Sequence, residues 1–107
     1  MPHPVVDDRI LKRFRAALAK LYGDRLERVV LFGSRARGDA REDSDYDIAV
    51  FIRDIGPFWD EVDRLVDIET DLLYDTGAVI NSTPHRAGAY QERTSLMREI
   101  RSEGVDL

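Results

Sequence analysis

The sequence has no cysteine among its 107 residues, so it can form neither a disulfide bond nor a thiolate metal site. No apolar run approaches the roughly 20 residues that a membrane-spanning helix requires. The opening MPHPVVDDRI lacks the basic start and the apolar stretch of a secretion signal. We therefore expect one cytoplasmic domain over residues 1–107 that does not bind a membrane.

Basic residues are scarce in the middle of the chain, and acidic residues exceed them overall. The formal net charge is −5, which argues against direct nucleic-acid binding, because proteins that bind nucleic acids generally carry a basic patch. Residues 1–41 hold ten Lys or Arg and five Asp or Glu, whereas residues 42–75 hold two and twelve. With 43% hydrophobic and 35% charged residues, the composition is that of a globular protein.

Hydrophobic periodicity predicts six elements in the order helix, strand, strand, helix, strand, helix. We predict a helix from Asp7 or Asp8 to Gly23, strands at 29–32 and 45–52, a helix from Pro57 to Gly77, a strand at 78–83 that Pro84 stops, and a helix at about 94–103. This order favours an α/β (α+β) protein with a small mixed β-sheet covered by helices.

The long helix has two chemically distinct faces. Its predicted apolar face consists of Phe58, Val62, Leu65, Val66, Leu72 and Leu73. Its opposite face is acidic and consists of Asp60, Asp63, Asp67, Asp71 and Asp75. In the last helix, Leu96, Met97 and Ile100 are expected to point inward. An acidic face is most simply exposed to solvent, and docking of a basic partner is the alternative.

Gly33 and Ser34 follow directly after the first apolar strand. A glycine here lets the backbone turn sharply and lets a phosphate approach the amide groups, and Ser34 adds a hydroxyl donor. If Ser34 starts a short helical turn, its free N–H groups favour an anion. Arg35, Arg37 and Arg41 can neutralise phosphate or pair with neighbouring acids. Alone, Gly-Ser after a strand is more typical of an ordinary turn.

Asp45 and Asp47 lie at the start of the second strand, where side chains two residues apart share one face and Tyr46 faces away. Two adjacent carboxylates repel each other unless a cation lies between them. Mg²⁺ prefers such oxygen ligands and leaves its other positions to water and substrate phosphates. A phosphate-binding turn and a divalent-metal site within residues 33–47 together meet the needs of a Mg²⁺-bound nucleoside triphosphate.

These residues resemble the signature of the DNA polymerase β-like nucleotidyltransferase superfamily. That signature is Gly-Ser, about ten residues, then Asp-x-Asp, and here the intervening residues are 35–44 with Arg37-Gly38 in the loop. The chain is most similar to the short minimal nucleotidyltransferases that act as antitoxins beside HEPN-domain toxins. The tail at 96–107 also resembles their ending, although only residues 33–47 are specific.

The resemblance implies a polymerase β palm-like fold and a role for each motif residue. Gly33 and Ser34 would hold the β- and γ-phosphates of a nucleoside triphosphate, most simply ATP. Asp45 and Asp47 would be the catalytic carboxylates and would bind one or two Mg²⁺ ions. Arg35 or Arg37 would steady the charge of the triphosphate, and Arg37 fits the loop pattern better.

The sequence departs from the fuller family pattern at one point. Many members carry a third carboxylate on a later strand, which helps to activate the attacking hydroxyl. The corresponding predicted strand, 78–83, contains no acid, and Asn81 is the nearest candidate by position. An amide oxygen can coordinate a metal, but an amide cannot act as a general base. The strength of catalysis is therefore open, whereas nucleotide binding is still expected.

The resemblance implies three hypotheses about function. In the first, the chain is a Mg²⁺-dependent nucleotidyltransferase that adds AMP to a partner protein, with a HEPN-type toxin as partner and this chain as antitoxin. In the second, it neutralises its partner by docking, with a weak or vestigial nucleotide site. In the third, the acceptor is a small molecule such as an aminoglycoside, although enzymes of that kind usually carry an extra domain for the acceptor.

Overall fold

The structure is a computed structural model and describes residues 8–107. Its helices are α1 (Arg9–Tyr22), α2 (Ser34–Arg37), α3 (Phe58–Thr76) and α4 (Ser95–Glu103). Its strands are β1 (Leu26–Phe32), β2 (Tyr46–Ile52), β3 (Ile80–Arg86) and β4 (Val105–Asp106). Two short 3₁₀ turns cover Gly23–Arg25 and Ala87–Gln91. None of the helices within 8–107 is both long enough and apolar enough to span a bilayer.

The four strands form one mixed sheet in the order β3-β2-β1-β4. Strand β1 pairs antiparallel with both β2 and β4, whereas β2 and β3 run parallel. The predicted small mixed sheet covered by helices is therefore confirmed. Strand β4 was not predicted because its two residues are too few to show periodicity. In the turn before it, Gly104 has no room for a side chain, since a Cβ there would lie 2.4 Å from Val30 Cγ1.

Both faces of the sheet are covered. One face packs against α1 and α3 in a core that holds Phe14, Leu18, Leu65, Leu72 and alternate β2 residues from Tyr46 to Ile52. The other face packs against α4 in a smaller core formed by Val30, Ala49, Phe51, Ala89, Met97 and Ile100. Burying apolar surface on both faces makes β2 the central, almost fully enclosed strand. The start of β2 is consequently a rigid support for the side chains at that end of the sheet.

The predicted ends of α1 and α3 are confirmed for the part of the chain described. Asp8 caps α1, because its carboxylate accepts hydrogen bonds from the N–H groups of Ile10 and Leu11. The alternative cap, Asp7, lies outside the described residues. Gly77 ends α3 in the left-handed conformation with φ 77°, which a glycine adopts at little cost.

The predicted boundaries of the third strand were wrong. Strand β3 starts at Ile80 and runs through Pro84 to Arg86. The carbonyl of Val79 accepts a hydrogen bond from Tyr46 N–H, so by alternation the odd-numbered residues of β3 face β2. Pro84 then directs its nitrogen, which has no hydrogen, away from the sheet. A proline is tolerated there because β3 is an edge strand.

Several residues predicted to point inward are exposed, and one acid is buried instead. Phe58, Val66, Leu73 and Leu96 have 41–53% of their surface exposed. Glu61 of α3 is fully buried. Its carboxylate accepts hydrogen bonds from Tyr22, Arg64 and the backbone N–H of Gly56, which satisfy the buried charge. The acidic face from Asp60 to Asp75 is exposed, as predicted.

Candidate active site

The turn after β1 is built around a glycine that no other residue can replace without strain. Gly33 has φ 76° and ψ −157°, a region essentially restricted to glycine, and it caps the single-turn helix α2. The predicted helical turn starting at Ser34 is therefore present. A Cβ on Gly33 would lie 2.5 Å from Oδ2 of Asp47. The Gly-Ser turn and the second aspartate are thus in direct contact.

Asp47 is held against this turn by the sheet register. It pairs with Phe32 across β1 and β2, which places it directly beside the residue that precedes Gly33. Its side chain is partly buried. Within residues 8–107 the Asp47 carboxylate forms no hydrogen bond or ion pair. A partly buried carboxylate without a protein donor is chemically suited to bind a cation.

Asp45 lies one residue before β2, on the same side of the sheet as Asp47 by the alternation that sends Tyr46 into the opposite core. Its Oδ2 accepts a hydrogen bond of 3.0 Å from Nδ2 of Asn81. Asn81 is also the register partner of Asp47 across β2 and β3. The residue named from sequence as nearest to a missing third acid is therefore in contact with the carboxylate pair.

Arg35 holds the loop between α2 and β2. Its guanidinium donates to the carbonyl oxygens of Ser44, at 2.6 and 2.9 Å, and Glu42, at 3.1 Å. It also stacks over the ring of Tyr46, with Cζ 3.9 Å from the ring centroid. Burial raises the pKa of Tyr46 to about 12, and its hydroxyl donates to Asp8. Since Tyr46 lies in the α1–α3 core, these contacts place Arg35 on the far side of β2 from Asp47.

Arg37 is the more accessible of the two predicted arginines, with 41% of its side chain exposed. It forms ion pairs with Asp39, at 3.3 Å, and with Glu103 of α4, at 3.1 Å. The Glu103 partner had no signal in the sequence, because 66 positions separate the two residues. The roles of Arg35 and Arg37 toward a nucleotide remain predictions.

The residues present fit a Mg²⁺ site supplied by two carboxylates. Within the described residues no group of three or more His, Cys, Asp or Glu side chains is arranged to hold a metal. Asp45 and Asp47 nevertheless offer hard oxygen donors, and the absence of a side chain on Gly33 keeps the space beside Asp47 open. Mg²⁺ commonly takes only one or two protein carboxylates and completes its coordination with water and substrate phosphates.

Three comparisons with known proteins agree with one another. The family described as polymerase beta, nucleotidyltransferase matches residues 17–105. Two proteins of Methanocaldococcus jannaschii, both named "Putative protein adenylyltransferase", are similar to this chain. One is 33% identical over 92% of this chain and 94% of its own length. The other is 29% identical over 92% of this chain and 95% of its own length.

Solved structures share the fold. A Sulfolobus solfataricus chain named "putative nucleotidyltransferase" has a TM-score of 0.65, with 22% identity over 91% of this chain and 75% of that chain. A toxin–antitoxin structure with AMP-PNP has a TM-score of 0.59, with 20% identity over 87% and 68%. A Shewanella oneidensis structure of a tri-AMPylated HEPN toxin with its MNT antitoxin has a TM-score of 0.54, with 15% identity over 91% and 70%. At these identities the likeness establishes the fold.

Proposed function

The chain belongs to the polymerase beta, nucleotidyltransferase family, and from this premise we propose that it transfers AMP from ATP to a hydroxyl group of a partner protein. The reaction depends on Mg²⁺. The single observation that carries the proposal is the contact between the Gly33 backbone and the Asp47 carboxylate. It brings a turn suited to phosphate next to a carboxylate suited to a cation, and Mg²⁺-ATP requires both.

In this proposal the turn binds the triphosphate. The missing side chain of Gly33 lets the β- and γ-phosphates approach the backbone, and the hydroxyl of Ser34 donates a hydrogen bond to them. Arg37 steadies their charge by exchanging a carboxylate partner for phosphate oxygens. Arg35 keeps the loop at 42–44 in place, so that Asp45 is held in a defined position just before β2.

Asp45 and Asp47 bind one or two Mg²⁺ ions. When held by these two carboxylates, Mg²⁺ would polarise the α-phosphorus and offset the charge that develops on the departing pyrophosphate. The two carboxylates fix where the phosphates lie relative to the acceptor hydroxyl, which attacks the α-phosphorus in line with the leaving group. The P–O bond to pyrophosphate breaks as the new P–O bond to the acceptor forms, and the proton of the acceptor hydroxyl passes to solvent water.

The acceptor comes from another protein chain. The described residues form one sheet with two covered faces and leave little space for a separate acceptor-binding domain. By analogy with the structure of a HEPN toxin bound to its MNT antitoxin, we propose that a HEPN-type toxin is the partner and that this chain is its antitoxin.

Intact-mass spectrometry tests the proposal. The chain is incubated with ATP, Mg²⁺ and a HEPN-domain protein that copurifies with it, and pyrophosphate release is followed in parallel. We expect the partner to gain the mass of one or more AMP groups, and we expect EDTA to prevent the gain. Absence of both the mass gain and pyrophosphate with every nucleoside triphosphate would refute the enzymatic proposal.

Replacing Ser34 with alanine is expected to weaken ATP binding more than Mg²⁺ binding. A hydrogen bond to a charged group contributes about 1.5–3 kcal/mol, so the Kd for ATP should rise by roughly 10- to 100-fold. Isothermal titration calorimetry with Mg²⁺-ATP and with Mg²⁺ alone measures the two affinities. Ser102→Ala, at an exposed serine of α4, is the control and should bind as the wild type does. A larger loss of Mg²⁺ affinity in Ser34→Ala would mean that the turn is misassigned.

Weak catalysis combined with docking is the second candidate function, and one observation favours it. The amide of Asn81 lies beside Asp45 at the position where a third carboxylate would act as a base. We expect Asn81→Asp to bind Mg²⁺ more tightly and to transfer AMP about tenfold faster or more.

The same substitution should lower the melting temperature measured without Mg²⁺, because a third carboxylate replaces the amide donor of Asp45. Asn81→Ala, which removes the hydrogen bond without adding charge, is the matched control. Unchanged transfer by Asn81→Asp, together with unchanged neutralisation by Asp45→Asn, would favour docking over catalysis.

A further inference from the structure

A groove of about 250 Å³ separates α3 from the edge strand β3. Val66, Leu73 and Val79 line it, together with the polar residues Glu69 and Asn81. We call this feature the α3–β3 groove. Val66, Leu73 and Val79 have 44–46% of their surface exposed. Exposed apolar residues gathered around one depression are typical of an interaction surface.

The spacing of these residues suits a helical partner. Val66 and Leu73 are seven residues apart on α3, with Glu69 three residues after Val66, which is the spacing of one stripe along a helix. Stripes of this kind pack against a second helix. Addition of a strand to the edge of β3 is disfavoured, because Pro84 offers no outward N–H group there.

The charges around the groove indicate a basic partner. Glu69 is the charged residue of the groove lining, and it lies in the segment 42–75, which holds twelve acids and two bases. The side chain of Glu69 accepts a hydrogen bond from Ser82, at 2.9 Å, and has no cationic partner within the described residues. Burial raises the pKa of Glu69, which a positive charge nearby would reverse. A second copy of this chain that docked through the same groove would bring the same acids and be repelled.

We propose that the α3–β3 groove docks one helix of the acceptor protein, an amphipathic helix whose apolar stripe is flanked by Lys or Arg. A basic side chain of that helix pairs with Glu69, and its apolar residues cover Val66 and Leu73. The inference rests on the proposed function, and it adds the surface that brings the acceptor to the site. Asn81 lines the groove, while its side chain bonds Asp45 on the opposite face of the sheet. A protein docked in the groove therefore contacts the edge strand that carries Asn81 and reaches the carboxylate pair around the open edge of β3.

Amide chemical shifts of the ¹⁵N-labelled chain test this surface. The probe is a designed helical peptide with a leucine stripe flanked by lysines, and the same peptide with glutamates in place of the lysines is its control. We expect saturable shifts at residues 66–73 and 79–82 with the lysine peptide only. Leu73→Lys should abolish binding, and Glu69→Gln should weaken it several-fold. Leu96→Lys, at an exposed leucine of α4, should bind as the wild type does.

Three outcomes would overturn the assignment. They are equal binding of the glutamate peptide, shifts that map to another surface, and undiminished binding by Leu73→Lys. Shifts that change with the concentration of the chain alone would identify a second copy as the occupant instead.

Measuring ATP binding by Leu73→Lys separates this inference from the proposed function. We expect its Kd for Mg²⁺-ATP to be unchanged. If the wild type binds ATP but not the lysine peptide, the groove assignment fails alone. If the wild type binds the lysine peptide but not ATP, the groove assignment holds and the enzymatic proposal fails.

Discussion

Asp45→Asn and Asp47→Asn are each expected to reduce AMP transfer at least about 100-fold, because each removes one of two carboxylates that bind Mg²⁺. Asparagine has nearly the same shape, but it is neutral and carries an NH₂ donor in place of one carboxylate oxygen. Asp47 has no hydrogen-bond donor within residues 8–107, so its replacement breaks no contact that stabilises the fold there. Removing one of two neighbouring negative charges also relieves repulsion. We therefore expect the melting temperature without Mg²⁺ to stay the same or to rise slightly.

Thermal unfolding with and without Mg²⁺-ATP measures the same loss independently of turnover. For the wild type, ligand at about 100 times its Kd should raise the free energy of unfolding by about 2.7 kcal/mol. Both variants should lose most of this gain. Asp24→Asn, in the 3₁₀ turn after α1, changes the net charge equally and should keep it. A large drop in the melting temperature of ligand-free Asp47→Asn would show that this carboxylate stabilises the fold instead.

Gly33→Ala is expected to abolish transfer and to destabilise the protein, for two separable reasons. A non-glycine residue at φ 76° and ψ −157° costs about 1–3 kcal/mol in backbone strain. The new Cβ would also lie 2.5 Å from Oδ2 of Asp47, so either the turn or the carboxylate must move. The first effect lowers stability, and the second removes the geometry on which Mg²⁺-ATP binding depends.

Gly77→Ala is the control for the backbone strain of a non-glycine residue at positive φ. Gly77 has φ 77°, and nothing lies within 4 Å of a Cβ added there. We expect it to lose about 1–2 kcal/mol of stability and to keep full activity. Urea unfolding and the mass-spectrometric transfer assay together distinguish the two variants. If Gly33→Ala transfers AMP as fast as Gly77→Ala does, the contact with Asp47 is not part of the site.

Local patterns predicted the framework of the fold. The cap at Asp8, the stop at Gly77 and the alternation along β2 each depend on residues within a few positions of one another. The Gly-Ser turn and the Asp-x-Asp pair were found for the same reason, since both lie within residues 33–47. The hydrogen bond between Asn81 and Asp45 joins residues 36 positions apart, and no local pattern encodes it.

Errors in prediction arose where tertiary packing decides burial. The orientation of α3 on the sheet buries Leu65 and Leu72. It leaves Val66 and Leu73 exposed, although they continue the apolar stripe of the helix. Pro84 ends a strand in the general case, yet β3 continues through it because its nitrogen faces the open edge. Glu61 is buried because Tyr22, 39 positions away in the chain, joins the near neighbours Arg64 and Gly56 in donating to its carboxylate.

The sequence by itself determined the class of the fold, the family and the two short motifs, because helix and strand periodicity and turn chemistry act between near neighbours in the chain. Only the tertiary structure decided that Gly33 meets Asp47, that Asn81 holds Asp45 and that a groove opens between α3 and β3. Those contacts depend on strand register and on the orientation of α3, which are set when distant segments bury their apolar surfaces together.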